Sequence, residues 1–329
     1  MYDTKLKDYQ NILITGSSGF VGKALAQKFC TEGFEVLGFS RSNPHIPGIK
    51  NISGDILDKI ALANAAKDVD IIIHCAAITP HFGRAKGMSQ INIEGTRNVV
   101  KAANKNKIKR LVFISSEAAY AHPFKDVITE NDPIGGIDNY GRSKAEGEKI
   151  INSELHDEIE SVIIRPAQIY GLGDQSPFTN RVILMLKKDR IITPAFRDSG
   201  ISLIHIKDVV NGIYTASLSE KTSNKIYNVS SDDKISLEQI SLELDPIRQK
   251  RNKILKLPVF LIRFLLSLRW LTYSIRFKEV RPIFKLYNKK ELTGSLLLGG
   301  PYFSNKKMKE ELGFEPEITV IDGFKDLLI

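Results

Sequence analysis

The chain has 329 residues, 42% hydrophobic and 26% charged, with a net charge of +9. That is enough chain for a buried core and two lobes. Two cysteines exclude a secreted disulfide framework, and their positions lack metal-ligand spacing. Cys30, in a helical pattern, and Cys75, in an apolar strand, are expected as buried free thiols. The N-terminal MYDTKLKDYQ has no apolar signal core, and no run of about twenty uncharged apolar residues occurs. A cytoplasmic protein is expected.

Ile12, Leu13 and Ile14 form a short apolar run, as in a parallel strand covered on both faces. The run stops at TGSSGFVG, and a helical pattern, KALAQKFCTEGF, follows directly. Gly16, Gly19 and Gly22 suit a tight strand-to-helix turn with close backbone approach to a ligand. The helix N-terminus beyond them offers free N–H groups and a positive dipole end to a diphosphate. Glu35 to Phe39 then reads as a second strand, completing a βαβ unit. Such a glycine turn also occurs as plain structure, so context decides.

Ser40, Arg41 and Ser42 occupy the place where an acid would select the ribose of NAD. Arg41 fits a 2′-phosphate, which favours NADP slightly over NAD, or it is an exposed turn residue. Asp55, in ISGDILD, is placed to accept from an adenine amino group, and Asp58 to cap a helix from Lys59 to Ala66. Val69 to Ala77 reads as a strand, Ile91 to Ala103 as an amphipathic helix and Arg110 to Ser115 as another buried strand. The alternation predicts a doubly wound parallel sheet of Rossmann type, α/β in class, with its ligand outside the carboxyl ends of the strands.

Ser116 lies at such an end, and NYGRSKAEGEKII reads as a helix carrying Tyr140 and Lys144 four apart on one face. A lysine ammonium beside the phenol is expected to lower its pKa, making Tyr140 an acid/base group. Between Arg248 and Lys290 there are thirteen Lys/Arg against one acid, Glu279, a net +12 that leaves −3 for the rest. This basic stretch suggests an anionic partner, a diphosphate substrate or a membrane surface, or is a solvated face. No aromatic-interleaved nucleic-acid motif accompanies it. Within it, LPVFLIRFLLSLRWLTYSIRF, from Leu257 to Phe277, contains three arginines that make a membrane span expensive. It is expected to cover the substrate lobe or to touch anionic lipid peripherally.

TGSSGFVG, GDILD, HCAA, SSEAAY, YGRSK, RPAQIYGLGD and IHIKDVV, in this order, resemble the extended short-chain dehydrogenase/reductase family of nucleotide-sugar epimerases, dehydratases and reductases. The resemblance covers residues 10 to 230, and the tail from LTGSLLLGG onward looks like the bacterial polysaccharide-pathway branch. It implies that Gly16, Ser18, Gly19, Phe20, Val21 and Gly22 line the cofactor diphosphate, that Asp55 and Ile56 meet the adenine, and that Ala76 and Ala77 flank the middle of the cofactor. Tyr140 would be the acid/base, Lys144 would bond the nicotinamide ribose, and Ser116 would orient the reacting oxygen. Pro166 and Ile169 would sit near the nicotinamide. Thr79, Gln168 and Arg197 are weaker candidates for substrate contact.

Where the family's dehydratases carry an Asp-Glu pair after the catalytic hydroxyl residue, this chain has Glu117 and Ala118, which argues against dehydration. An arginine that contacts diphosphate in some epimerases is replaced by Ile201. The expected activity is therefore 4-epimerisation of a nucleotide-diphosphate sugar, or reduction of its 4-keto form, in bacterial-type surface polysaccharide synthesis. The alternatives are an NADPH-dependent reductase of a steroid-like or other small ketone, and a non-catalytic nicotinamide sensor. Residues 1–170 plus 202–230 would form the cofactor domain, and 171–201 plus 231–329 a smaller, mostly helical substrate lobe. The family further suggests a homodimer through the helix bearing Tyr140.

Overall fold

The computed structural model describes residues 9–43, 45–79, 87–121, 125–187, 190–194, 200–232, 234–248, 253–258 and 300–328. Arg197 and most of the basic stretch from 248 to 290, including its apolar part from 259 to 277, lie outside the described residues. The chain runs through β1 (Asn11–Thr15), α1 (Phe20–Thr31), β2 (Glu35–Ser40), β3 (Lys50–Ser53), α2 (Lys59–Ala65), β4 (Ile71–His74), α3 (Gly95–Asn106), β5 (Arg110–Ile114), β6 (Val127–Ile128), α4 (Asn139–Glu154) and β7 (Glu160–Pro166). It continues through β8 (Gln168–Tyr170), α5 (Pro177–Lys187), β9 (Arg190–Pro194), β10 (Ile201–His205), α6 (Ile206–Leu218), β11 (Lys225–Val229), β12 (Lys234–Ile235), α7 (Leu237–Arg248), β13 (Lys253–Leu257), β14 (Tyr302–Phe303), α8 (Lys306–Leu312) and α9 (Val320–Leu328).

Seven of these strands form one sheet in the order β11-β7-β5-β4-β1-β2-β3, every neighbouring pair parallel. Both faces are covered, which explains why the strands read as continuous apolar runs. Successive side chains alternate between the faces. Ile12, Ile14, Ile71, Ile73, Val112 and Ile164 pack with Leu25 and Phe29 of α1 and with Val209 and Ile213 of α6. Leu13, Ile72, Leu111, Phe113 and Ile163 face the other way, toward α2, α3 and α4 through Leu62, Val99, Val100, Ile150 and Ile151. Each such buried aliphatic side chain contributes about 1.5–3 kcal/mol. Asp58 caps α2 as expected, accepting from the N–H groups of Ile60 and Ala61 at 3.0 Å.

Strand order reverses between β1 and β4, the place where ligands bind in open α/β sheets. A smaller core lies beyond the carboxyl ends of the strands, built from Tyr170, Val182, Leu186, Leu203, Ile240, Leu244, Val320 and Phe324. Among the described residues no helix is long and apolar enough to cross a membrane.

One expectation is corrected here. Both cysteines are free but half-buried rather than buried. Cys75 follows the last residue of β4, where the sheet opens into the crevice. Cys30 points at the loop around Gly48, with its thiol 3.8 Å from the Pro47 carbonyl.

Candidate active site

Two backbone segments leave the sheet side by side at the reversal point. Gly16 takes φ +72°, and a Cβ there would stand 2.7 Å from the Ala76 backbone, so the turn after β1 and the strand exit after β4 touch. The Thr15 hydroxyl accepts from the Ala76 N–H at 3.3 Å and ties the two together. A Cβ on Gly22 would sit 2.3 Å from the Gly16 carbonyl oxygen, which fixes how closely α1 follows the turn. Helix α1 begins at Phe20 with Gly19 as its N-cap, no side-chain cap bond and no acid in its first turn. Ser18 and Gly19 are exposed, with Phe20 and Val21 half-buried beside them. This uncapped, acid-free N-terminus fits a dinucleotide diphosphate.

The ends of β2 and β3 lie beside the glycine turn. The Ser17 hydroxyl donates to the Ser40 hydroxyl at 3.1 Å, which in turn donates to the Ser42 carbonyl at 2.7 Å. Arg41 stands exposed on this braced turn. The Asp55 carboxylate accepts from the Leu57 N–H at 2.9 Å, so part of its acceptor capacity serves its own turn, and Ile56 is buried next to it.

Beyond β5, two strands along the sheet from β1, Ser116 opens a 3-10 turn (Glu117–Ala119), and its hydroxyl accepts from the Ala118 N–H at 3.2 Å. Helix α4 presses its first residues onto this turn, because a Cβ on Gly141 would lie 2.0 Å from the Ala118 carbonyl oxygen. Asp138 caps α4 by accepting from the Gly141 N–H at 2.7 Å. Tyr140 and Ser116 are thereby brought together from separate elements. The expected lowering of the Tyr140 pKa is not what the structure gives. Burial pushes it up to about 12, the neighbouring Ser116 hydroxyl offsets part of this, and the Asp138 and Glu117 carboxyls push it further up. Lys144 lies 6.0 Å from the Tyr140 ring centroid, but its ammonium donates to the Ile114 carbonyl at 2.7 Å and sits 4.9 Å over the Phe113 ring. Burial lowers the Lys144 pKa to about 8.

Thr79 is exposed at the end of the described run that follows β4. Pro166 is buried as the last residue of β7, and Gln168 and Ile169 follow in β8, half-buried, with the Gln168 amide donating to the Ile169 carbonyl at 3.1 Å. Glu117 is next to Ser116, and burial raises its carboxyl to about 8 against a partial offset from the Gln168 backbone N–H. Its surroundings thus favour the protonated carboxyl, an effect the sequence could not reveal.

Sequence reading also missed Asn92. It lies in a π-turn (Gln90–Glu94) before α3, accepts from the Ile78 N–H at 2.7 Å, and donates to the Ile78 carbonyl at 3.0 Å and the Ser143 hydroxyl at 2.9 Å. Ser143 in turn donates to the Tyr140 carbonyl at 2.7 Å, so Asn92 connects the strand exit to the Tyr140 helix. Asn92 is buried together with Thr96 and Asn98 of α3, and no local sequence pattern sets it apart from them.

The NAD dependent epimerase/dehydratase family model matches residues 12–230. The 2-alkyl-3-oxoalkanoate reductase of Shewanella oneidensis is 23% identical over 335 residues, covering 95% of this chain and 84% of its own. The UDP-glucose 4-epimerase of Vibrio cholerae is 27% identical over 331 residues, covering 96% and 94%. Among solved structures, the UDP-glucuronic acid 4-epimerase of Bacillus cereus, in complex with UDP-glucuronic acid and NAD, has a TM-score of 0.73 at 18% identity, covering 96% of this chain and 97% of its own.

Proposed function

The chain belongs to the NAD dependent epimerase/dehydratase family, of extended short-chain dehydrogenase/reductase type, and on that premise we propose that it is an oxidoreductase acting at the 4-position of a nucleotide-diphosphate sugar, as an epimerase or a 4-keto reductase. The observation that carries this reading is the meeting of Ser116 and Tyr140 at the strand ends, two strands along the sheet from an uncapped glycine turn. A nicotinamide dinucleotide bound there would supply hydride transfer. The N–H groups at the start of α1 would hold its diphosphate, Asp55 and Ile56 its adenine, Ala76 and Ala77 its middle, and Lys144 its nicotinamide ribose. Pro166 and Ile169 would border the nicotinamide.

Ser116 would orient the sugar oxygen and Tyr140 would exchange its proton. The Tyr140 phenol would donate its proton to a ketone oxygen in the reductive direction and take it back in the oxidative one. Arg41 would tilt the reaction toward reduction by favouring the 2′-phosphate of NADP. Thr79, Gln168 and Arg197 are assigned to substrate, and 171–201 plus 231–329 to the substrate-binding lobe. The basic stretch 248–290 would face the substrate diphosphate or an anionic membrane surface. The chain would work as a homodimer packed through α4, in the cytoplasm or peripheral to its membrane, in polysaccharide synthesis.

A second reading, reduction of a small non-sugar ketone, is favoured by the likeness to the Shewanella reductase. Incubation with UDP-, GDP- and dTDP-hexoses and their 4-keto-6-deoxy forms, with and without NADPH, separates these readings. NADPH consumed by one 4-keto sugar makes the protein a reductase, and interconversion without net cofactor change makes it an epimerase. Turnover of 3-oxoalkanoates with silence toward every sugar would replace the sugar reading by the second.

A further inference from the structure

Beneath the site lies a charged layer that the proposed chemistry does not use. Glu148, one helical turn after Lys144 on α4, and Arg165, near the end of β7, form an ion pair whose side chains are 0% and 3% exposed. The guanidinium donates to both carboxylate oxygens, from Nε at 2.9 Å and from Nη2 at 2.6 Å. Ser115 donates its hydroxyl to the Glu148 oxygen that takes Nε. Arg165 Nη1 reaches the Glu130 carbonyl at 3.2 Å, and the guanidinium covers the Tyr120 ring at 4.7 Å from its centroid. The Tyr120 hydroxyl donates to Asn228 at 2.6 Å, and the Asn228 N–H donates to the Glu130 carboxylate at 2.8 Å.

The geography of this layer matters. Ser115 and Tyr120 flank the Ser116 to Ala119 turn, and one ion pair grips both flanks. The same pair anchors the middle of α4, the helix that carries Tyr140 and Lys144. A buried ion pair is poor evidence for stability, because desolvation offsets most of its attraction. What the pair fixes is relative position.

We propose that Glu148 and Arg165 are positioning residues that set the Ser116 turn and the Tyr140 helix in reacting register. The proposal rests on the catalytic roles assigned to Ser116, Tyr140 and Lys144. It has a second consequence through charge. The groups facing the Lys144 ammonium are Cys75 and His74 at the exit of β4, and Tyr140 and Glu148 on its own helix. Among them Cys75 and then the Glu148 carboxylate support the protonated amine, and loss of the Glu148 charge moves the Lys144 titration to lower pH.

The test compares Glu148→Gln, Ser115→Ala and the paired apolar replacement Glu148→Leu with Arg165→Met, which leaves no unpaired buried charge if the single variant fails to fold. For a folded variant lacking the Glu148 charge, kcat is expected to fall at least tenfold with KM within about threefold. The alkaline limb of the kcat/KM profile should move to lower pH in Glu148→Gln, and by less in the paired replacement, which also removes the Arg165 cation. Ser115→Ala should lower kcat by a few-fold without moving the limb. If no substrate of the wild-type protein is found, the functional reading fails by itself. The limb is then read from the pH dependence of NADH or NADPH affinity, followed by nucleotide fluorescence. A folded double variant with wild-type kcat and an unmoved limb overturns the proposal. So does a loss that only follows thermal stability and leaves the limb in place.

Discussion

The glycine turn after β1 gathers its function within seven consecutive residues, Gly16 to Gly22. The Ser116, Tyr140 and Lys144 set is collected from a strand end and a helix, and a third element, β7, braces it through Arg165. The turn works through backbone: a positive φ at Gly16, a missing Cβ at Gly22 and uncapped N–H groups. The second set presents side chains whose ionisation depends on what buries them. Residue identity therefore says nearly everything about the first region and only the roster of the second. The Tyr140 phenol, expected to be pulled down by Lys144, is pushed up because burial outweighs a cation whose own hydrogen bond goes to Ile114.

The sharpest way to break this contrast is Tyr140→Phe. It removes one hydroxyl and should cut turnover about 10²- to 10⁴-fold, while cofactor affinity by fluorescence titration stays near wild type. Full activity would sink the acid/base role. Gly22→Val attacks the other region. The added side chain begins 2.3 Å from the Gly16 oxygen, and cofactor affinity should drop roughly 10- to 100-fold, what ~1.5–3 kcal/mol of overpacking corresponds to. Unchanged affinity would mean that the turn relaxes without cost.

Glu117→Gln sharpens the comparison by isolating burial. With its pKa raised to about 8 in the folded chain, Glu117 keeps a proton that the unfolded chain gives up above its ordinary value near 4.5. This contribution is present at low pH and is lost as pH rises toward 8, so it makes stability fall with pH across that window. Urea midpoints at pH 5 and pH 8.5 should therefore differ less in the variant than in the wild type. Equal differences would place Glu117 in water. The smallest effect is expected from Arg41→Ala, which should shift the ratio of NADP to NAD affinity by roughly fivefold or less, the scale of an exposed ion pair. An unchanged ratio would return Arg41 to the surface.

The parallel sheet was legible because strands covered on both faces leave unbroken apolar runs, as in Ile12 to Ile14 and Leu111 to Ile114. Asp58 was legible as a cap because capping is local, with its acceptor two and three residues from its donors. Glu148 and Arg165 were not. In sequence each is one more charged residue on a helix or at a strand end, and only packing reveals that both are nearly solvent-free and face each other. Asn92 escaped for the same reason, since its partners Ile78 and Ser143 come from different elements.

The sequence by itself determined the fold class, the glycine turn and the placing of Tyr140 and Lys144 on one helix face, because spacing and periodicity act over a few residues. Only the tertiary structure decided their protonation, the half-buried state of Cys75 and the buried lattice under Ser116. Those depend on how much water each group loses and which distant group replaces it, and neither is written in neighbouring residues.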